Sequence, residues 1–96
     1  MIQKEKIIAV IRKDATGLGM FKNKYDDYCV IGGLLHEVGE EPKRYQCAPT
    51  LVQYEVLFAH YGLQPIDVDE LMGCNDNYYE VENRRAALIE LVERFE

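Results

Sequence analysis

The sequence predicts an all-α fold: a compact single domain of four to five helices that covers residues 1–96. Capping-box spacing, in which a short polar residue is followed three positions later by an acidic or amide residue, begins at Thr50, Asp67 and Asn77. Apolar residues recur at helical spacing after these starts. Hydrophobic residues make up 48% of the chain, which is enough for one core, and 96 residues leave no room for a second. A short β segment near residues 45–48 is the one departure that the pattern allows.

The first two helices are predicted from their ends. Residues 3–13 combine good helix formers at both ends with a β-branched middle, so their periodicity fits a helix or a buried strand, and we favour a helix. A second helix is predicted to begin near Tyr28, with Asp26 or Asp27 as its cap, because a short carboxylate accepts hydrogen bonds from first-turn amides. Gly39 is the expected end of this helix.

A glycine pair, Gly32-Gly33, lies inside this second helix. Each glycine costs about 1 kcal/mol relative to alanine in a helix. Some other interaction must offset that cost, and we expect close packing against a neighbouring helix or another chain. The pair is therefore a candidate special site.

The second half of the chain predicts three more helices. One opens at Thr50 and ends at Gly62, which is placed for a left-handed C-terminal residue. Its expected buried stripe is formed by Tyr54, Leu57, Phe58 and Tyr61. A short helix starts at Asp67 and closes at Gly73, and the last helix is capped by Asn77 and runs to about Phe95.

The net charge of −6 is unevenly distributed. Residues 1–24 carry six bases and two acids, residues 25–66 two bases and six acids, and residues 67–96 three bases and nine acids. An acidic chain without an arginine-rich stripe is not suited to direct nucleic-acid binding. Acidic residues steer encounter with a basic protein surface, although a plain solvated helix face explains them too. The candidate interaction residues are Tyr78, Tyr79, Glu80, Glu82, Glu90 and Glu93.

Cys29 is the candidate for thiol chemistry. A thiol in the first turn of a helix lies near the positive end of the helix dipole, which favours ionisation. His36 is seven residues away, roughly 10 Å along a helix, and is too far to act as its base. His60 could approach only through tertiary folding. A small buried core residue is therefore the favoured interpretation of Cys29, and no catalytic residue is assigned.

No metal or cofactor is predicted. The three cysteines lack the close pairs that are typical of zinc sites, and their odd number fits a reducing compartment. Asp67, Asp69, Asp76 and Glu80 do not follow the spacing of a calcium loop. No apolar stretch is long enough to cross a membrane and no signal peptide is seen, so the expected location is the cytoplasm.

Several short motifs occur in a fixed order along the chain. They are Tyr28-Cys29, Gly32, Leu34-Leu35, Gly62-Leu63, Leu71 and Asn75-Asp76. In this respect the chain resembles a family of small helical proteins of phages, prophages and their bacterial hosts. That family has an aromatic-Cys-x-x-Gly-x-Leu motif, a Gly-Leu turn, and an Asn-Asp segment before a final amphipathic helix. The resemblance implies helical content and a mobile-element setting, and no particular reaction.

The leading hypothesis is a non-enzymatic protein-interaction module that inhibits or modulates a host protein. Its acidic C-terminal half would dock on a basic, nucleic-acid-binding surface of that host protein. One alternative is a small thiol-dependent enzyme centred on Cys29. Another is a virion or assembly component, a homo-oligomer in which Gly32-Gly33 forms the self-contact.

Overall fold

The computed structural model describes all 96 residues and contains five α-helices and no sheet, as predicted. The helices are α1 (Lys4–Lys13), α2 (Val30–Glu37), α3 (Leu51–Tyr61), α4 (Pro65–Asp76) and α5 (Val81–Arg94). None of them is both long and apolar enough to span a bilayer. The fold class is therefore confirmed at the upper end of the expected helix count.

Helix α2 lies at the centre of the domain. It packs against α1, α3 and α4, and its first six residues, Val30 to Leu35, are all buried. Helix α1 contributes Ile7 and Ile11, and α5 contributes Leu88 and Val92, all of them inaccessible to solvent. A helix that is apolar on all sides belongs in the interior, which explains why the shortest helix lies among α1, α3 and α4.

The start of α2 differs from the prediction. Its N-cap is Cys29, whose Sγ accepts a hydrogen bond from the Gly32 amide, and neither aspartate caps it. The Asn23 side chain accepts the backbone amides of Tyr25 and Asp27 instead, which folds residues 23–27 into a separate turn. Asp26 has a φ of +63° in that turn, and its carboxylate accepts a hydrogen bond from Arg44 and does not cap the helix.

The glycine pair has the expected close packing, but its neighbours belong to the same chain. A Cβ on Gly32 would lie 1.9 Å from the Phe21 carbonyl oxygen, and one on Gly33 would lie 2.8 Å from Cβ of Asp14. Both glycines are buried. The loop after α1 therefore crosses α2 at the point where α2 has no side chains.

Helix α3 confirms the predicted ends. Thr50 and Gln53 form the capping box, and Gly62 is left-handed with a φ of +74°. Leu57 and Tyr61 are buried as expected. Phe58, predicted to be in the same stripe, is 54% exposed because it points to the solvent side of the helix, where no other helix covers it.

Helices α4 and α5 correct three predicted boundaries. Helix α4 begins at Pro65 with Gln64 as its N-cap, and Asp67 is the third residue, whose carboxylate accepts the Gln64 amide. The helix continues through Gly73 to Asp76. Continuation places the Asn75 side chain in the core, where it accepts the Val30 amide and donates to the Gly17 carbonyl. These buried hydrogen bonds offset the cost of Gly73 within the helix.

The boundary between α4 and α5 follows from this longer helix. Asn77 is the C-cap of α4 and does not cap α5, whose N-cap is Glu80 without a side-chain hydrogen bond. No strand forms at residues 45–48. Tyr45 donates to the Lys22 carbonyl, and Phe21 donates to the Gln46 carbonyl. Tyr45 has a φ of +69°, which is incompatible with an extended strand.

Candidate functional site

Two arginines of α5 are turned towards the interior of the protein. Arg84 is 1% exposed and donates to the carbonyls of Ala15, Tyr78 and Tyr79 at 2.7, 2.9 and 2.6 Å. Arg85 donates to the Asp14 carbonyl at 2.9 Å. Burial lowers the pKa of Arg84 from its ordinary value. Neither guanidinium pairs with a carboxylate, so both positive charges are used to fix backbone segments.

The outward side of α5 is consequently acidic. Glu82, Glu90 and Glu93 are exposed at positions i, i+8 and i+11, which share one face of a helix. Exposed Glu80 immediately precedes them. Glu90 pairs with Arg94 at 2.8 Å, whereas Glu80, Glu82 and Glu93 have no ion-pair partner in the chain. This acidic face is defined as Glu80, Glu82, Glu90 and Glu93.

The positively charged side chain of Lys4 lies at the C-terminal edge of the acidic face. Lys4 Nζ donates to the backbone carbonyl of Glu93 at 3.0 Å. Carbonyls in the last turn of a helix carry partial negative charge, so a lysine stabilises that end. Because this contact is made to the backbone, it leaves the Glu93 carboxylate free for another partner.

Two tyrosines border the acidic face at the start of α5. Tyr79 is 85% exposed and Tyr78 is 40% exposed. The carbonyls of both tyrosines accept hydrogen bonds from the Arg84 guanidinium, which fixes the backbone at these two residues. Exposed tyrosines on a fixed backbone lose little entropy on binding, and this suits an interface.

A groove of about 420 Å³ runs between α4 and α5 beside this face. Glu70 and Tyr78 line it together with the Glu90–Arg94 ion pair, and Ala87 and Leu91 form its apolar wall. The unpaired Glu70 carboxylate and an aromatic ring next to an apolar wall fit the charged head and the apolar stem of a basic side chain. The groove therefore extends the acidic face towards α4.

Cys29 is buried, with 4% of its surface exposed. Burial raises the pKa of its thiol to about 11, although the Gly32 and Ile31 amides favour the thiolate. His36 bonds to Tyr28 and Glu41, and His60 is exposed on α3. The structure brings no base to Cys29, and this gives the thiol-enzyme alternative no support.

The Gly32-Gly33 pair does not form an exposed patch. Phe21 and Asp14 of the same chain already occupy the space beside both glycines. A second chain cannot reach them without displacing the loop after α1. The assembly hypothesis therefore lacks the self-contact on which it was based.

One cluster of charged and aromatic side chains was not predicted. Glu41 accepts hydrogen bonds from the Tyr28 hydroxyl at 2.5 Å and from Lys22 at 2.9 Å, and its other oxygen contacts His36 Nδ1 at 2.5 Å. The His36 and Tyr28 rings stack with centroids 4.7 Å apart. No sequence pattern indicates this cluster, because Glu41 lies in a charged loop that has no periodicity.

The cluster changes the ionisation of its members. Partial burial opposes ionisation of Glu41, but the hydrogen bonds from Tyr28, His36 and Lys22 outweigh it and lower the pKa of Glu41 to about 2. Burial, together with the hydrogen bond to Glu41, raises the pKa of Tyr28 to about 12. Tyr28 is therefore protonated and Glu41 ionised at neutral pH. The loop after α2 is thereby fastened to the start of that helix.

Comparisons with models of protein families, with curated proteins and with solved structures gave no significant match. No group of three His, Cys, Asp or Glu side chains lies close enough together to hold a metal ion. The candidate site therefore depends on the chemistry of the acidic face and the groove beside it.

Proposed function

We propose that this protein is a non-enzymatic interaction module that docks its acidic C-terminal half on a basic, nucleic-acid-binding surface of another protein. Binding there would mask the surface, so the protein would act as an inhibitor or modulator of its partner. The phage and prophage resemblance suggests that the partner is a bacterial host protein. Complementary charge would accelerate the encounter and select against acidic partners.

The inward orientation of Arg84 and Arg85 is the observation that carries the proposal. Exposed helices usually mix acids and bases, which pair at i, i+4 and neutralise one another. Here the two arginines bind backbone carbonyls, and three of the four glutamates on the acidic face have no ion-pair partner. Desolvating those carboxylates would require cations from outside the chain.

A charge-reversal pair tests the proposal. The test variant carries Glu80→Lys, Glu82→Lys and Glu93→Lys. The control variant carries Glu5→Lys, Glu55→Lys and Asp69→Lys, which are exposed acids on α1, α3 and α4. Both variants change the net charge by the same amount, so a difference between them reports the location of the charge. Circular dichroism confirms that each variant folds.

The measurement is capture of partners from a bacterial lysate at two salt concentrations, quantified by mass spectrometry. We expect the wild type and the control variant to enrich basic nucleic-acid-binding proteins, less strongly at high salt because screening weakens exposed charges. Added duplex DNA should compete for the captured partner, and the test variant should lose it. Equal capture by the two variants, or capture that DNA does not reduce, would contradict the proposal.

A further inference from the structure

A cavity of about 50 Å³ lies between the loop after α1, the start of α2 and the C-terminal half of α4. Eight residues line it, and four of them carry sulfur: Met20, Cys29, Cys47 and Met72. The whole chain has three cysteines and three methionines. Four of its six sulfur-bearing residues thus meet at one cavity, although they come from four separate parts of the sequence.

Most polar groups at this cavity are already engaged by the protein. The Asn75 side chain is hydrogen-bonded to Val30, Gly17 and Asp76, and the Asp76 carboxylate accepts the Gly19 amide at 2.9 Å. The sulfur atoms have weaker partners. Cys29 Sγ accepts the Gly32 amide and Cys47 Sγ donates to the Tyr45 carbonyl, both at 3.4 Å. Apart from the second oxygen of the Asp76 carboxylate, the donors that remain for a ligand are therefore soft.

We propose that this sulfur-lined cavity is a binding site for a soft monovalent cation, Cu(I), with the Cys29 and Cys47 thiolates and the Met20 and Met72 thioethers as its donor set. Thiolate and thioether sulfur prefer Cu(I) among the biological cations. The cavity exceeds the roughly 10–15 Å³ that one water molecule needs, so it is large enough for a single ion. The site is independent of the acidic face.

The donor set selects against the commoner divalent ions. Structural zinc sites use four thiolate, imidazole or carboxylate ligands in a tetrahedron. This cavity supplies two thiols, and no third His, Cys, Asp or Glu side chain is positioned to complete a metal site. Calcium and magnesium require several oxygen ligands, and the cavity offers a single carboxylate, that of Asp76.

Cys29 and Cys47 would have different roles in the site. Cys29 is buried in the cavity wall, and its sulfur faces the first-turn amides of α2, which stabilise a thiolate. A bound cation would compensate the charge of the Cys29 thiolate inside the protein. Cys47 is exposed and gives the ion access from solvent.

The binding step balances without any further reactant. Each of the two thiols loses one proton to solvent as its sulfur bonds to the metal, and copper stays in the monovalent state throughout. No oxidant or reductant is consumed. Affinity should therefore increase with pH, because the metal competes with protons for both sulfur atoms.

The test is an anaerobic titration of the reduced full-length protein with Cu(I), in competition with a chromophoric Cu(I) chelator. We expect one ion per chain. Cys47→Ser should weaken binding at least about tenfold, the scale on which the loss of even an outer-shell partner reduces metal affinity. Cys74→Ser is the matched control, because Cys74 lies in the groove between α4 and α5 and not in this cavity. The control should leave the affinity unchanged.

A second measurement identifies the thioether ligands. Ag(I), a soft cation that air does not oxidise, is added to protein with ¹³C-labelled methionine methyl groups. We expect the methyl signals of Met20 and Met72 to shift and that of Met1, which is fully exposed, to stay in place. Equal affinity in Cys47→Ser and Cys74→Ser, or unchanged Met20 and Met72 signals, would overturn the assignment. Binding of Zn(II) in preference to Cu(I) would overturn it as well.

Discussion

Replacing Arg84 by methionine tests whether the buried guanidinium anchors α5. Methionine has a similar length and fills the same space, so the change removes mainly the hydrogen bonds to Ala15, Tyr78 and Tyr79. The Tyr78 and Tyr79 carbonyls belong to exposed residues that water can reach. Ala15 is fully buried, so its carbonyl would lose its only side-chain partner away from water.

The expected loss follows from these contacts. A stranded buried carbonyl costs about 1–3 kcal/mol, and a hydrogen bond from a charged donor contributes about 1.5–3 kcal/mol. Relief of the desolvated charge offsets part of that sum. We therefore expect Arg84→Met to lower the free energy of unfolding by about 3 kcal/mol, a large share of the stability of a small domain.

The matched control is Arg85→Met, because Arg85 is only half-buried and makes a single hydrogen bond, to the Asp14 carbonyl. We expect that variant to lose about 1 kcal/mol. Urea unfolding followed by far-UV circular dichroism measures both values. A loss below about 1 kcal/mol for Arg84→Met, or a loss no larger than that of the control, would refute the anchoring role.

Three further predictions concern packing, ionisation and the buried thiol. Gly32→Ala should destabilise the protein by more than about 3 kcal/mol, because the new Cβ would collide with the Phe21 carbonyl. Gly73→Ala should stabilise it by about 0.5–1 kcal/mol, because the space around Gly73 is open. Urea unfolding measures both values, and similar effects of the two changes would contradict the packing. Because folding lowers the pKa of Glu41 from 4.5 to about 2, the ionised Glu41 stabilises the protein above pH 4.5, and this stabilisation is lost as the pH falls towards about 2. The melting temperature of Glu41→Gln should therefore vary less over that pH range than the melting temperature of the wild type. Iodoacetamide at pH 8 should modify exposed Cys47 well before Cys29, whose pKa is about 11; mass spectrometry showing equal rates would restore the thiol-enzyme hypothesis.

The sequence predicted the fold class and the course of α3 because the information there is local. Thr50 and Gln53 satisfy each other's amides, and Gly62 supplies the left-handed residue that ends the helix. These interactions involve residues three or four positions apart. They do not depend on the rest of the fold, so the pattern alone indicates both ends of the helix.

The predictions were wrong where a distant partner competes with a local cap. Asn77 and Glu80 have capping-box spacing, but the buried hydrogen bonds of Asn75 extend α4 to Asp76 and make Asn77 its C-cap. Asp26 also had the position of a local cap for α2, but the Asn23 side chain folds residues 23–27 into a separate turn, and Asp26 does not cap the helix. In each case a contact outside the helix decides where the helix begins or ends.

The binding role of the candidate site stays a prediction, and only the exposure of its residues is observed. The acidity of residues 67–96 is visible in the sequence, and all four glutamates of the acidic face are exposed. The clusters around Glu41 and in the sulfur-lined cavity were not predicted, because their members are brought together only by tertiary folding. Spacing along the chain carries no information about residues that meet from three or four different segments.

The inward arginines make the C-terminal surface more acidic than its sequence count indicates. Residues 67–96 carry three bases, but Arg84 is buried, Arg85 is half-buried on a carbonyl, and Arg94 pairs with Glu90. None of the three neutralises Glu80, Glu82 or Glu93. The contacts that fasten α5 to the loop after α1 therefore also determine the charge of its outer face. A variant that weakens the Arg84 anchor should disturb both stability and partner binding, whereas reversal of the surface glutamates should affect binding alone.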